Sequence, residues 1–322
     1  MKYTTTRQLL TLMILSAISL NLHAQERIEY LPYGKMDSWT VRYIKESFLL
    51  GGTTRALYIV AKNDTIRKNE PYPYGRNGSP WGSSNAYAKV FGVEKAAVSV
   101  FPERRGDGYC CKLETTLHIV KAVGIDLKAL ATGSLFTGRL LDPVTFEGTR
   151  QPMKAIDMGI PFKKRPVALI LDYKAIIQPN GQMVRATGTT KVTDVKGRDE
   201  GEIVLFLQHR WEDKDGNIYA YRIGTASEHI TQSIPNWHNN HRLPVRYGDI
   251  SNSPDYKPWE ALFTNRYMAL NSKGKMVPVK EVGYKADAEP THIIIQITAG
   301  CQEPFTGCPG NVVWVDNIRL AY

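Results

Sequence analysis

Four carboxylates stand where hydrolytic chemistry could use them: Glu114, Asp172, Glu212 and Glu260. Glycoside hydrolysis needs two such groups about 5 to 10 Å apart, one of them kept protonated by its surroundings. Glu114 falls on the polar face of the alternating run 111–119. Asp172 follows Ala168 and Ile170 on one face of an otherwise apolar strand, an unusual place for an acid. Glu114 and Asp172 are therefore the candidate catalytic acids, with an ion pair from Asp172 to Lys174 or to a nearby arginine as the competing reading.

A second chemistry is recognition without reaction. A pyranose needs flat apolar faces for its C–H side and fixed amides, arginines or acids for its hydroxyls. Residues 72–87 read as a long loop holding Trp81, Asn85, Tyr72, Tyr74 and Tyr87 among small hydrogen-bonding groups, and residues 234–241 read as a second such loop with Trp237 and His238. Trp211 lies where the apolar run Ile203–Leu207 gives way to Gln208, His209 and Arg210, so it marks a strand leaving the core. Trp81, Asn85, Trp211, Trp237 and His238 form the expected ligand-contacting set; the competing reading makes Trp81 and Trp237 core aromatics. His238 and His241 are three apart, a metal-ligating spacing on a helix, but Pro235 and the Asn239–Asn240 pair dictate a loop and leave both histidines facing solvent or substrate.

Other chemistries lack their motifs. The chain has no glycine-rich phosphate loop, no Gly-x-Ser-x-Gly elbow and no His-Glu-x-x-His. The segment Asp213-Lys214-Asp215-Gly216-Asn217 carries its glycine at the fourth position where a calcium-binding EF loop needs it sixth, and reads instead as a hairpin turn.

These residues must be positioned by strands. Strand-like runs recur at 39–44, 55–61, 96–101, 111–120, 167–174, 202–211, 217–223, 292–298 and 312–322, separated by turns rich in Gly, Pro, Asn and Asp, while amphipathic helical windows are scarce. An antiparallel sandwich or barrel follows. Ile203–Leu207 is apolar on both faces and belongs in the middle of a covered sheet. A hydrophobic content of 43% over 322 residues is too high for a disordered chain.

Residues 1–24 have the layout of a secretory signal peptide: Lys2 and Arg7, an apolar stretch from Leu9 to Leu20, and a cut expected near Ala24. The expected product, residues 25–322, is a single domain, secreted or periplasmic, with no membrane span. Export admits disulfides. Cys301 and Cys308 bracket a turn-rich loop of six residues and are the expected bridge, while alternation turns Cys111 to the core and Cys110 to the polar face. A zinc site at the cysteines is disfavoured because the pair-and-pair spacing is missing. The net charge of +10 falls to +8 once Lys2 and Arg7 are removed, and the remaining cations are scattered, which disfavours nucleic acid and suits an anionic or sulfated glycan. Oligomeric state is not encoded in any pattern here.

Several short segments, in order along the chain, resemble a known family. They are Tyr33-Gly34-Lys35-Met36-Asp37-Ser38-Trp39, Pro80-Trp81-Gly82-Ser83-Ser84-Asn85, Gly133-Ser134-Leu135-Phe136-Thr137-Gly138, Gly159-Ile160-Pro161-Phe162, Arg165-Pro166, Asp172-Tyr173-Lys174 and Val313-Trp314-Val315-Asp316-Asn317-Ile318. Together they resemble the secreted bacterial family named for a putative carbohydrate metabolism domain, whose members are loosely described as glycoside-hydrolase-like. The resemblance implies an all-β fold, an antiparallel jelly-roll β-sandwich similar to carbohydrate-binding modules, with the first and last strands close together. It implies no agreed catalytic pair and no required cofactor. Trp81 and Asn85 fall in the family's most recognisable loop. Asp37 and Asp316 match acidic positions that in similar sandwiches hold a structural calcium, although Met36 precedes Asp37 where an aromatic and a Glu are more usual. Three functions follow in order: a carbohydrate-binding or glycan-processing accessory protein, a glycoside hydrolase using two carboxylates from separate strands, and a cell-surface structural or adhesion component.

Overall fold

The computed structural model describes residues 26–322 except 73–77 and 123–124. The leader expected over 1–24, and Tyr74 of the first aromatic loop, lie outside the described residues. Period-two alternation builds two sheets that face each other. In the first, strands Ile234–Pro244, Ala168–Ile176, Val312–Ala321, Gly108–Glu114 and Val100–Arg105 lie side by side in that order, all antiparallel. The second has a spine of Ser134–Leu140, His292–Thr298, Gly201–Glu212, Ile218–Ile230 and Met276–Tyr284, with shorter strands at its margins. Leu169, Leu171, Tyr173, Val313 and Val315 of the first sheet meet Ile203, Leu205, Leu207, Ile293, Ile295 and Ile297 of the second in one continuous core. The fold is thus the expected antiparallel β-sandwich.

The second sheet is covered on its other side too. Val204, Phe206 and Ile294 pack there against Phe136, Met158, Phe263 and Tyr267, so Ile203–Leu207 is buried on both faces as its composition requires. Within that outer layer Arg222 and Glu281 form a fully buried ion pair, Nη2 to Oε2 at 2.5 Å, with the guanidinium 3.9 Å from the Phe206 ring centre. The first and last described strands also pair as expected: Ile28–Tyr30 lies against Arg319–Ala321, and Ile318 donates its N–H to the Gly34 carbonyl at 2.8 Å. A Cβ at Gly34 would stand 2.3 Å from the Ile318 carbonyl oxygen, so only glycine permits this approach.

Three local expectations are corrected. The run 111–120 is two strands, Gly108–Glu114 and Thr116–Ala122, because Thr115 leaves the first sheet to exchange backbone hydrogen bonds with Gly310 and Asn311. Residues 234–241 belong to a strand, not a loop. Ile234–Pro244 is the edge of the first sheet, where Pro235 takes no missing donor from a ladder, and its pairing slips twice opposite Asp172 and Lys174. The aromatic loop 72–87 likewise contains the strand Trp81–Ser83, which pairs with Leu135–Thr137.

The expected Cys301–Cys308 bridge is absent: all four cysteines are free. A carboxylate closes that loop in its place. Asp199 Oδ1 accepts the Cys301 N–H at 3.0 Å and Oδ2 accepts the Cys308 N–H at 2.9 Å, which satisfies both loop ends from between them. Burial pushes the Cys301 thiol up to about 11. Cys111 does face the core, and Cys110 is buried beneath Trp314 and Trp237 on the opposite face. Among the described residues no helix is long and apolar enough to cross a membrane.

Candidate functional site

The hairpin Gly201–Glu212/Ile218–Ile230 turns at Asp213–Asn217 as its sequence predicts. Asp213 Oδ1 accepts the N–H groups of Asp215 and Asn217, and Gly216 takes φ +90°, which a side chain would resist. Below Leu207 the inner face of this hairpin is core. Continuing with the same alternation, His209 and Trp211 on one strand stand opposite Tyr221 and Tyr219 on the other. Here the face emerges: Leu207 is buried, His209 half-buried and Trp211 exposed.

The result is an aromatic shelf. The Trp211 ring centre lies 5.8 Å from Tyr219 at an interplanar angle of 23°, and 5.0 Å from Tyr221. His209 Nδ1 is anchored at 2.8 Å to the Glu289 carbonyl, which fixes the inner end. Lys280 Nζ lies 5.6 Å from the Tyr219 ring centre and Lys285 Nζ 5.8 Å from that of Tyr221. Neither lysine is engaged in an ion pair among the described residues. Flat rings with two uncommitted cations at one border can stack on pyranose faces and attract carboxylate or sulfate substituents. Tyr219, Tyr221, Lys280 and Lys285 were not in the sequence-derived set. The signal existed: the aromatic pairs at 209/211 and 219/221 are mirror-spaced about the Asp-Gly turn, which places them in cross-strand register.

The other expected contacts are scattered. Trp81 is 5% exposed within the main core, its Nε1 donating to the Pro32 carbonyl at 2.8 Å. Asn85 is equally buried and spends its whole amide on backbone: Nδ2 donates to Tyr58 O and Val100 O, and Oδ1 accepts from Ser99 N and Val100 N. Both are buried in the wall of a pocket that Arg42, Tyr72 and Asp142 also line, with the polar atoms of Asn85 spent on backbone. Trp237 lies on the outer face of the first sheet under Arg105, whose guanidinium carbon is 3.8 Å from its ring centre. His238 is exposed beside Tyr173 and His241, and His241 Nε2 is 2.7 Å from Glu228 Oε2. Glu228 pairs across from Ile203, eight residues down the strand from Trp211, so roughly 26 Å separates these histidines from the shelf.

The candidate acid Asp172 and the expected calcium ligand Asp316 share a face with Trp237. Asp172 and Asp316 are direct cross-strand partners, bridged by Arg105: Nη2 donates to Asp172 Oδ2 at 3.0 Å and Nη1 to Asp316 Oδ2 at 2.6 Å. Asn317 Nδ2 and Asn240 N–H complete the shell of Asp172. Burial would raise Asp172, but the Asn240 N–H, Asn317 and Arg105 together hold it below the ordinary carboxylate range; burial lifts Asp316 above it. Both acids are more than nine-tenths buried with their oxygens occupied, which makes this an arginine-clamped structural pair. Glu114 is tied to Lys112 at 2.9 Å. It pairs opposite Val312, four residues from Asp316, so about 13 Å of strand separates Glu114 from the Asp172–Asp316 position, beyond the reach of a two-carboxylate mechanism. Of the other two acids, Glu212 is capped by Ser272 and Glu260 is buried against Arg246 and Ser227. The calcium reading does not fit either: Asp316 is already neutralised by Arg105, and Asp37 Oδ1 accepts the Tyr109 N–H at 2.9 Å.

The clamp carries a pH signature. Asp172 is depressed in the fold, so its contribution is complete above the unfolded carboxylate value of about 4 and is lost as pH falls through its lower folded value. Asp172→Asn should lower the melting temperature at pH 7 and flatten the acid limb below about pH 4 relative to wild type. Parallel acid limbs in thermal melts of the two proteins would show that Asp172 is not held by this network.

The protein is an antiparallel β-sandwich with an aromatic shelf beside the turn that closes its long hairpin. The chain belongs to the putative carbohydrate metabolism domain family, whose model matches residues 54–321. Among solved structures, it is similar to one described as a putative glycoside hydrolase from Bacteroides thetaiotaomicron VPI-5482, with 19% identity and TM-score 0.48 over 91% of this chain and 72% of that one. It is also similar to another described in the same words from Bacteroides vulgatus ATCC 8482, with 14% identity and TM-score 0.38 over 91% of this chain and 94% of that one. At such identity and TM-score neither is a guide to this chain's activity. No curated protein matches the chain.

Proposed function

We propose that the protein is an exported glycan-binding protein that engages an anionic polysaccharide on the shelf formed by Trp211, Tyr219 and Tyr221. The observation that carries this reading is the exposed Trp211 ring laid beside two tyrosines, over whose rings Lys280 and Lys285 stand with no ion pair to an acid among the described residues. Stacking supplies the sequence-tolerant part of the affinity, and the lysines select negative substituents. Membership of a carbohydrate metabolism family supports a glycan as the ligand. Binding without bond cleavage is the better-supported activity, because the only adjacent pair among the acids foreseen from sequence is buried and clamped by Arg105.

Electrophoresis through native gels cast with anionic and neutral polysaccharides tests the reading. Retardation in gels containing uronate-rich or sulfated polymers, weakening as salt is raised, is expected. Unchanged mobility across the anionic series would overturn it.

A further inference from the structure

Three adjacent strands of the second sheet end together on the side opposite the shelf's face. Glu200 immediately precedes the strand Gly201–Glu212, His229 is the penultimate residue of Ile218–Ile230, and Cys301 follows His292–Thr298 by three residues. Their register, Glu202 opposite both His229 and Thr298, brings a carboxylate, an imidazole and a thiol to one place. One donor atom from each of Glu200, His229 and Cys301 lies within 4.8 Å of the other two, and Glu200 Oε2 is 3.1 Å from His229 Nδ1.

The imidazole is held as a ligand would need to be. Its ring stacks on Trp259 with centres 3.8 Å apart and planes 11° apart, and Trp259 Nε1 donates to Ser227 Oγ at 3.2 Å. The His229 side chain is 8% exposed, and its Nε2 has no hydrogen-bond partner although Glu202 Oε1 stands 3.4 Å away. Glu202 is itself gripped through both oxygens by Arg266 Nη2 at 2.7 and 2.6 Å. Glu202 stands behind Nε2, where the outer carboxylate of a ligating histidine is usually found, and Nδ1 faces Glu200; metal binding would release any proton held between Nδ1 and Glu200.

The geometry points to a binding site for a thiophilic divalent ion of the zinc class, ligated by Glu200, His229 and Cys301 with its fourth position open to water. Nitrogen, sulfur and oxygen donors in a set of three suit zinc and exclude calcium or magnesium, which take oxygen only. In a tetrahedral zinc site, bonds of about 2.0 to 2.3 Å put ligand atoms about 3 to 4 Å apart, so side-chain shifts of about 1 Å close the site. Binding displaces the thiol proton to solvent and leaves the thiolate on the metal. The ion would pin the loop after His292–Thr298 to the base of the long hairpin, where Asp199 already gathers the loop's two ends. Sequence inspection missed the site because its ligands lie 29 and 72 residues apart and are joined only by strand register.

The test uses the untagged chain, kept reduced with a non-thiol phosphine, titrated with Zn2+ in competition with a chromophoric chelator and separately with Co2+. One Zn2+ per chain is expected, with a thiolate-to-cobalt charge-transfer band in the Co2+ form. Cys301→Ser should abolish that band and, like Glu200→Gln, weaken Zn2+ binding by at least about tenfold. Both substitutions are near-isosteric and leave the Trp259 stack in place. His238→Ala with His241→Ala should leave Zn2+ binding unchanged, which separates the site from the surface histidine pair. Absence of Zn2+ binding, or binding indifferent to Cys301→Ser and Glu200→Gln, would overturn the assignment.

Discussion

Glu281→Ala should destabilise the fold by about 3 to 5 kcal/mol, the largest single-residue effect expected outside the hydrocarbon core. Glu281 accepts Arg222 through both oxygens, at 2.6 and 2.5 Å, the Gln208 amide at 2.6 Å and the Phe263 N–H at 3.2 Å. Arg222 and Glu281 side chains are fully buried, so the alanine variant strands a guanidinium and two neutral donors without water to replace their partner. Replacing both partners, Arg222→Met with Glu281→Leu, should recover most of the loss, because no charge is then left unpaired. Guanidinium unfolding midpoints of the three proteins check this. A single variant within about 1 kcal/mol of wild type would mean that the outer layer over Phe206 is hydrated and the pair is not buried in solution.

Trp211→Ala should weaken binding to an anionic polysaccharide by roughly thirtyfold. One indole face contributes about 80 Å² of apolar contact, near 2 kcal/mol at about 25 cal/mol per Å². The substitution should leave stability nearly unchanged, since Trp211 is the exposed end of the shelf. Trp237→Ala is the informative contrast: its ring lies under Arg105 and beside Lys174, so it should cost stability and leave binding intact. Calorimetric titration of each folded variant reads the two effects. Loss of binding in Trp237→Ala with retention in Trp211→Ala would move the site to the outer face of the first sheet.

How far the sequence spoke depended on whether a feature was local. Alternation in Val167–Lys174 and His292–Thr298, and the double-sided apolar run Ile203–Leu207, located central strands to within a residue or two, because each face's environment is written in consecutive residues. The Asp213–Asn217 turn was equally legible, and with it the placement of Trp211 beyond the core. Asp172 was rightly singled out as an acid with a special environment and an arginine partner, but its partners Arg105, Asp316 and Asn240 come from three other strands that only tertiary pairing brings together. For Trp81 and Asn85 composition could not show burial: a buried Trp with one backbone acceptor and a buried amide with four backbone hydrogen bonds have the same composition signature as an open sugar site. The Cys301–Cys308 spacing misled, since a carboxylate from residue 199 does the loop's closing.

The charge of the chain finds its functional reading at the border of the shelf. Several arginines are committed to acids: Arg105 to two aspartates, Arg222 to Glu281, Arg266 to Glu202 and Arg42 to Asp142 at 2.5 Å. Lys280 and Lys285 face the rings without such partners. Binding that draws on them must carry a salt dependence that their removal reduces.

The most direct measurement of the central claim is therefore the salt dependence of affinity for one anionic polysaccharide, compared between the wild type and the Lys280→Gln/Lys285→Gln double variant. The shelf predicts a steep fall in wild-type affinity between low and physiological ionic strength, and a shallower slope with weaker low-salt binding in the double variant, with Trp211 unchanged in both. Equal slopes and equal affinities in the two proteins would contradict it and place the glycan elsewhere on the sandwich.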